Sequence, residues 1–152
     1  MLHTRIRTIV LLVLTTSLFA FSSNFGGDSY QIYLNKKLLV KEYVSMGHAT
    51  QSFSLDKSTF NQEVDIYYSH CGQVGKDRTI TLKDDHNNVL KQIHFPEFSG
   101  KNSGMSFHVS DFLNWDKRNG IDQLNIYYSS KELPAGRLLA TINLMGESKT
   151  TP

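Results

Sequence analysis

The tetrapeptide Ile66-Tyr67-Tyr68-Ser69 returns sixty positions later as Ile126-Tyr127-Tyr128-Ser129, and in both copies apolar and polar side chains take alternate places. Val64, Ile66 and Tyr68 fall on one side of an extended chain, with Asp65, Tyr67 and Ser69 on the other. Leu124, Ile126 and Tyr128 repeat this against Asn125, Tyr127 and Ser129. A period of two sends one set of side chains into a core and the other into water, as half-buried antiparallel strands require. The same alternation runs through Ile80 and Leu82, through Met105, Phe107 and Val109, and through Leu138, Ala140, Ile142 and Leu144. Leu39, Leu90 and Leu139 break it, and each is compatible with a bulge, a change of sheet or an exposed apolar patch.

Turn residues separate these runs. Asn35-Lys36-Lys37 divides residues 30–34 from 38–44, and Asp84-Asp85-His86-Asn87-Asn88 divides 78–83 from 89–95, so both pairs read as hairpins. Ser110 is placed to cap a short helix over residues 111–118, ended by Gly120, with Trp115 packing it down. Each copy of the echo is preceded by a hairpin and a strand led by Phe53 or Phe107, and followed by a loop, an arginine (Arg78 or Arg137) and a further strand. The chain is therefore expected to be all-β: an antiparallel β-sandwich, immunoglobulin-like in broad architecture, of about nine strands and one short helix, with approximate internal two-fold symmetry. A solenoid needs at least three repeats and is excluded.

The start of the chain has a different character. Arg5 and Arg7 precede an apolar run from Ile9 to Leu14, and Ala20 and Ser22 have the spacing of a peptidase site. Residues 1–22 are expected to be a signal peptide, 23–28 a flexible linker, 29–146 the sandwich and 147–152 a disordered tail. Thr15, Thr16 and Ser17 interrupt the apolar run, so no membrane span is expected after cleavage. The location implied is exported, either periplasmic or secreted. Cleavage removes two arginines and no acid, leaving 14 basic against 14 acidic side chains. A surface without net charge lacks the field that phosphate binding needs, so nucleic acid is not an expected partner.

Chemistry is sparse. A single cysteine, Cys71, excludes an internal disulfide or a Cys-rich zinc site. It reads as a small buried thiol at a strand end. A thiol-dependent enzyme or redox centre is the alternative; His70, its neighbour, would point to the opposite face of a strand and could not serve as its base. The five histidines after the leader, His48, His70, His86, His94 and His108, show no zinc spacing; His94 and His108 would converge only if their strands paired. A Ser-His-Asp set has no nucleophile elbow to mark it, and no phosphate loop is present. Hence no catalytic residue, metal or cofactor is assigned.

Recognition is the better prospect. Tyr67 and Tyr127, with Tyr33 and Tyr43, are expected to face outward, where phenol rings stack on sugars or centre a protein interface. The loops 70–77 and 130–136 follow the repeated strands and should lie at one end. Candidate binding residues are therefore Tyr67, Tyr127, His70, Arg78 and Arg137. The arginines are expected to pair with an acid or stack on tyrosine, with an anionic ligand as the alternative. The partner implied is an unknown protein or a glycan.

The run Tyr68-Ser69-His70-Cys71-Gly72, followed by Gly75 and Arg78-Thr79-Ile80, and the run Tyr127-Tyr128-Ser129-Ser130 with Leu133-Pro134-Ala135-Gly136-Arg137-Leu138-Leu139-Ala140 resemble an uncharacterised family of small exported β-rich proteins of Gram-negative bacteria. The resemblance covers most of the chain after the leader. It implies export and a sandwich-like fold, and brings no catalytic or binding residue with it.

Overall fold

The computed structural model describes residues 27–44, 49–96, 104–114 and 120–145. The expected leader and tail, His48 and Trp115 lie outside them. Among the described residues nine strands form two sheets. The four-stranded sheet runs β2 (Lys37–Tyr43), β1 (Ser29–Leu34), β4 (Glu63–Ser69), β7 (Met105–His108). The five-stranded sheet runs β3 (Gln51–Leu55), β9 (Arg137–Leu144), β8 (Gln123–Ser129), β5 (Arg78–Asp84), β6 (Val89–Phe95). The all-β sandwich is thus as expected, save that β3 runs parallel to β9.

The helix placed after Ser110 is a correction. The described part of that segment is a single 3-10 turn, Val109–Asp111, in which the Asp111 carboxylate accepts the His108 N–H at 2.8 Å. Val109 and Leu113 are buried and Phe112 packs edge-on to Phe107, so one short turn already seats the apolar side chains.

The sequence echo is also an echo of connectivity. In the first half the hairpin β1–β2 is followed by β3, which joins the opposite sheet, and then by β4, which returns to pair with β1. In the second half the hairpin β5–β6 is followed by β7, which joins the opposite sheet, and by β8, which returns to pair with β5. Strand β9 has no counterpart. It inserts between β8 and β3 and makes the second sheet one strand wider.

All three leucines that break the alternation sit at bulges. Ile32 faces Val40 while Tyr33 faces Leu38, which leaves Leu39 as the extra residue. In the same way Leu90 is skipped between the partners Lys91 and Val89, and Leu139 between Ala140 and Leu138. A bulge shifts the side-chain phase by one, so two consecutive apolar residues can be accommodated without slipping the whole register. Leu139 uses this to bury completely, whereas Leu90 stays 39% exposed on an edge strand.

The core lies between the sheets. Ile32, Val64, Ile66 and Met105 from one layer meet Ile80, Leu82, Leu124, Ile126 and Ile142 from the other, all fully buried. Each such side chain contributes about 1.5–3 kcal/mol over leaving it in water.

Candidate functional site

Two places on the sandwich gather chemistry: a polar cluster where the sheets meet at one end, and a groove on the outer face of the four-stranded sheet.

The cluster begins with the echo. Tyr68 and Tyr128 point inward from β4 and β8 and stack across the sandwich, ring centroids 4.1 Å apart and 12° from parallel. Two residues further on in each copy, His70 and Ser130 meet, with Ser130 Oγ 3.0 Å from His70 Nε2. The Tyr128 hydroxyl is also 3.0 Å from that nitrogen. Asp28, just ahead of β1, closes the other side. Its Oδ2 accepts from the Tyr68 hydroxyl at 2.7 Å and from Arg137 Nη1 at 3.0 Å, and lies 3.5 Å from His70 Nδ1. Arg137 Nη1 donates to the Tyr68 oxygen as well. Tyr30, stacked beside Tyr68, donates its hydroxyl to Leu139 O at 2.7 Å. Burial pushes the phenols of Tyr30, Tyr68 and Tyr128 above their ordinary value, with Glu42 adding to the effect on Tyr30 and the Asp28 hydrogen bond to that on Tyr68. Each phenol stays protonated and able to donate.

Asp28, His70 and Ser130 thus stand in the order of a catalytic triad, a set that no spacing in the chain marks out. Their surroundings argue against that use. Ser130 is 5% exposed, and its Oγ also accepts the Leu133 N–H at 3.2 Å. Gly75 lies over it so closely that an added Cβ would come 2.9 Å from His70 Nε2 and 3.0 Å from Ser130 Cβ. The loops themselves are tied together: Lys131 N–H donates to Lys76 O at 2.8 Å, and Lys76 N–H to Glu132 Oε2 at 2.9 Å. The last bond holds the Glu132 carboxyl below its usual range. The Ser130 hydroxyl is thus engaged both by its own loop and by His70 of the opposite sheet, and it joins the two layers.

Cys71 is a further correction: it is exposed, not buried. Strand β4 ends at Ser69, and the chain reverses through Cys71 and Gly72, both at positive φ, so the thiol is carried outside the sandwich. It lies 4.0 Å from Asp28 Oδ1, an anion where a reactive thiolate calls for a neighbouring cation. The His70 side chain is 13% exposed, held inside the cluster. Asp28 belongs to the fold rather than to a flexible linker, because its carboxylate and its carbonyl are both hydrogen-bonded.

The other candidates are dispersed. Arg78 is buried and donates to Pro96 O at 3.2 Å. Arg137 finds its acid in Asp28, just ahead of β1 in the other sheet. His94 bonds Thr79 and His108 lies 4.0 Å from Asp111; their strands belong to different sheets and do not pair. Tyr67 and Tyr127 both face outward, but on opposite outer faces of the sandwich, and Lys83 Nζ covers the Tyr127 ring at 4.6 Å. No single ligand reaches both. Asp84, Asp85 and His86 have ligand atoms close enough for a metal ion. The Asp84 carboxylate, however, is already occupied by the backbone N–H of His86 and Asn88 and by the Asn88 amide, which holds its pKa below the ordinary value.

The groove is built from neighbouring positions of β1 and β4. Gln31 faces Tyr67 across the ladder and Tyr33 faces Asp65. The two tyrosine rings meet edge to face, centroids 5.7 Å apart, and Lys36 from the hairpin turn completes a hollow of about 360 Å³. Tyr67 remains 38% exposed; burial, with Asp65 next, pushes its phenol above the ordinary value. Sequence parity found Tyr33 and Tyr67, but Gln31, Asp65 and Lys36 carry no signal apart from facing the same way.

Compared with known proteins, the chain matches no family model and no curated protein at a significant level.

Proposed function

We propose that the chain is an exported, non-catalytic β-sandwich binding module that takes its ligand on the outer face of the four-stranded sheet. The observation that carries the reading is the groove of Gln31, Tyr33, Lys36, Asp65 and Tyr67, where two outward aromatic rings stand among polar side chains. Concave sites that combine aromatic area with a few polar groups are where small ligands are held and oriented. The cluster around Asp28 supports the same reading from the other side, because its hydroxyls are spent on joining the sheets and leave no open nucleophile. Export rests on the character of residues 1–22 and on the resemblance to exported Gram-negative proteins.

A thermal-shift screen over sugars, amino acids, nucleotides and short peptides tests the binding face. A ligand that raises the melting temperature of the wild type but not of Tyr33→Ala/Tyr67→Ala supports it. Ligands that stabilise both proteins alike refute it. Mass measurement of the protein recovered from a Gram-negative host tests export: a leader still attached would overturn it.

A further inference from the structure

Resting on that reading of the face, we propose that the groove binds a neutral pyranoside, with one ring of an oligosaccharide laid against Tyr67. The polar atoms left over in the groove fit this chemistry. Gln31 Oε1 is taken by the Tyr33 hydroxyl at 2.8 Å, and Asp65 Oδ1 by the Ser106 hydroxyl. Among the described residues, Gln31 Nε2, Lys36 Nζ and the Tyr67 hydroxyl keep their donors uncommitted, and Asp65 Oδ2 keeps its lone pairs. Donors and an acceptor spread around an aromatic surface match a sugar, whose hydroxyls both give and accept around an apolar C–H face.

Three further observations narrow the class. Lys36 and Asp65 carry opposite charges in one hollow, so an anionic ligand would gain at one and lose at the other. Strands β1 and β4 are each paired on both edges, so no backbone ladder is open there for an extended peptide to join. The turn that delivers Lys36 is itself costly. Asn35 and Lys36 sit at φ 47° and 68°, and a two-residue hairpin turn of this kind favours Gly at its second position. A lysine held there against backbone preference, with its side chain lining the groove, is placed for contact rather than for folding.

Gly104 supplies a means of disturbing the site from outside. An added Cβ would stand 2.9–3.1 Å from the far end of the Tyr67 ring and force that ring to move.

The test is a nuclear magnetic resonance titration of ¹⁵N-labelled protein with neutral hexasaccharides of β-1,3-glucose, β-1,4-glucose, α-1,4-glucose and β-1,4-N-acetylglucosamine, and with an α-1,4-galacturonate hexamer as the acidic probe. At least one neutral sugar should shift the Gln31 side-chain amide and the Lys36 backbone amide. Its affinity should fall about tenfold in Tyr67→Ala, the loss of one stacked ring, and several-fold in Gly104→Ala with an unchanged melting temperature. Binding by galacturonate alone, or sugar-induced shifts confined to other residues, overturns the proposal. If no sugar acts but another ligand loses its stabilising effect in the Tyr67 variant, the glycan class fails and the binding face stands. If ligands act equally on both proteins, the two fail together.

Discussion

Gly75→Ala tests whether the polar cluster is a fastening between the sheets. The new methyl carbon would fall well inside contact distance of the Tyr128 hydroxyl, 2.9 Å from His70 Nε2 and 3.0 Å from Ser130 Cβ. Ordinary contact begins near 3.4 Å, so several groups would have to retreat at once. Tyr128 has nowhere to go: it is fully buried and stacked on Tyr68 at 4.1 Å. Overpacking a filled site costs about 1–3 kcal/mol, and a buried hydroxyl parted from its histidine costs about 1–3 kcal/mol more. With partial relief through the loop, a loss of about 2–4 kcal/mol is expected, a large share of the roughly 5–15 kcal/mol that holds such a domain together. The melting temperature should fall on the order of 10 °C. Urea unfolding followed by circular dichroism measures the loss. The second arm is Gly75→Ala in a Tyr128→Phe background: removing the hydroxyl removes the worst contact, so the alanine should cost about 1–2 kcal/mol less there than in the wild type. A Gly75→Ala protein within about 0.5 kcal/mol of wild type would refute the reasoning, as would a cost unchanged by Tyr128→Phe.

Leu139→Ala should cost about 2–5 kcal/mol, because the bulge buries that side chain completely, whereas Leu90→Ala at the exposed bulge should stay within about 0.5 kcal/mol; equal losses in urea titrations would dissociate burial from the bulge. Stability should hold constant up to about pH 9 and then fall, because Tyr30, Tyr68 and Tyr128 keep their protons in the fold above the pH near 10 at which the unfolded chain gives them up. A urea midpoint that does not move between pH 9 and pH 11, with tyrosinate absorbance followed in parallel, would contradict this. Lys36→Gly should stabilise the protein by about 0.5–1 kcal/mol by relieving a left-handed lysine, and should weaken any ligand of the groove; a lowered melting temperature would show that lysine supports the turn.

The sandwich was legible because alternation is a local signal. Val64, Ile66 and Tyr68 announce which way β4 faces without reference to any other strand, and the Asx-rich turns announce where the hairpins reverse. Ser110 and Gly120 fit the flanks of a helix, yet the described residues up to 114 hold only the 3-10 turn Val109–Asp111, because the way Phe112 and Leu113 are seated is set by the core beneath them. The leucine pairs show the same division. That Leu39, Leu90 and Leu139 break the phase is visible in the sequence; that a bulge absorbs each break depends on the partner strand, which periodicity does not name.

The site divides along the same line. Outward parity selects Tyr33 and Tyr67, yet it selects Tyr127 equally well, and only the assignment of β4 and β8 to different sheets puts Tyr127 on the far side. The cluster at the other end carried a sharper clue. Tyr68 and Tyr128 occupy equivalent places in the two copies, so a two-fold arrangement brings them face to face, and residues two places further on must then meet as well. His70 and Ser130 are that pair. The copies diverge where they touch: one supplies an imidazole, the other a hydroxyl. Two identical side chains related by a two-fold would present like to like, donor to donor or charge to charge. A histidine opposite a serine, with Asp28 and Arg137 joined on one flank, lets each polar group find a partner of another kind. The departure from symmetry at positions 70 and 130 is therefore what lets the symmetric stack of tyrosines end in a satisfied polar seam.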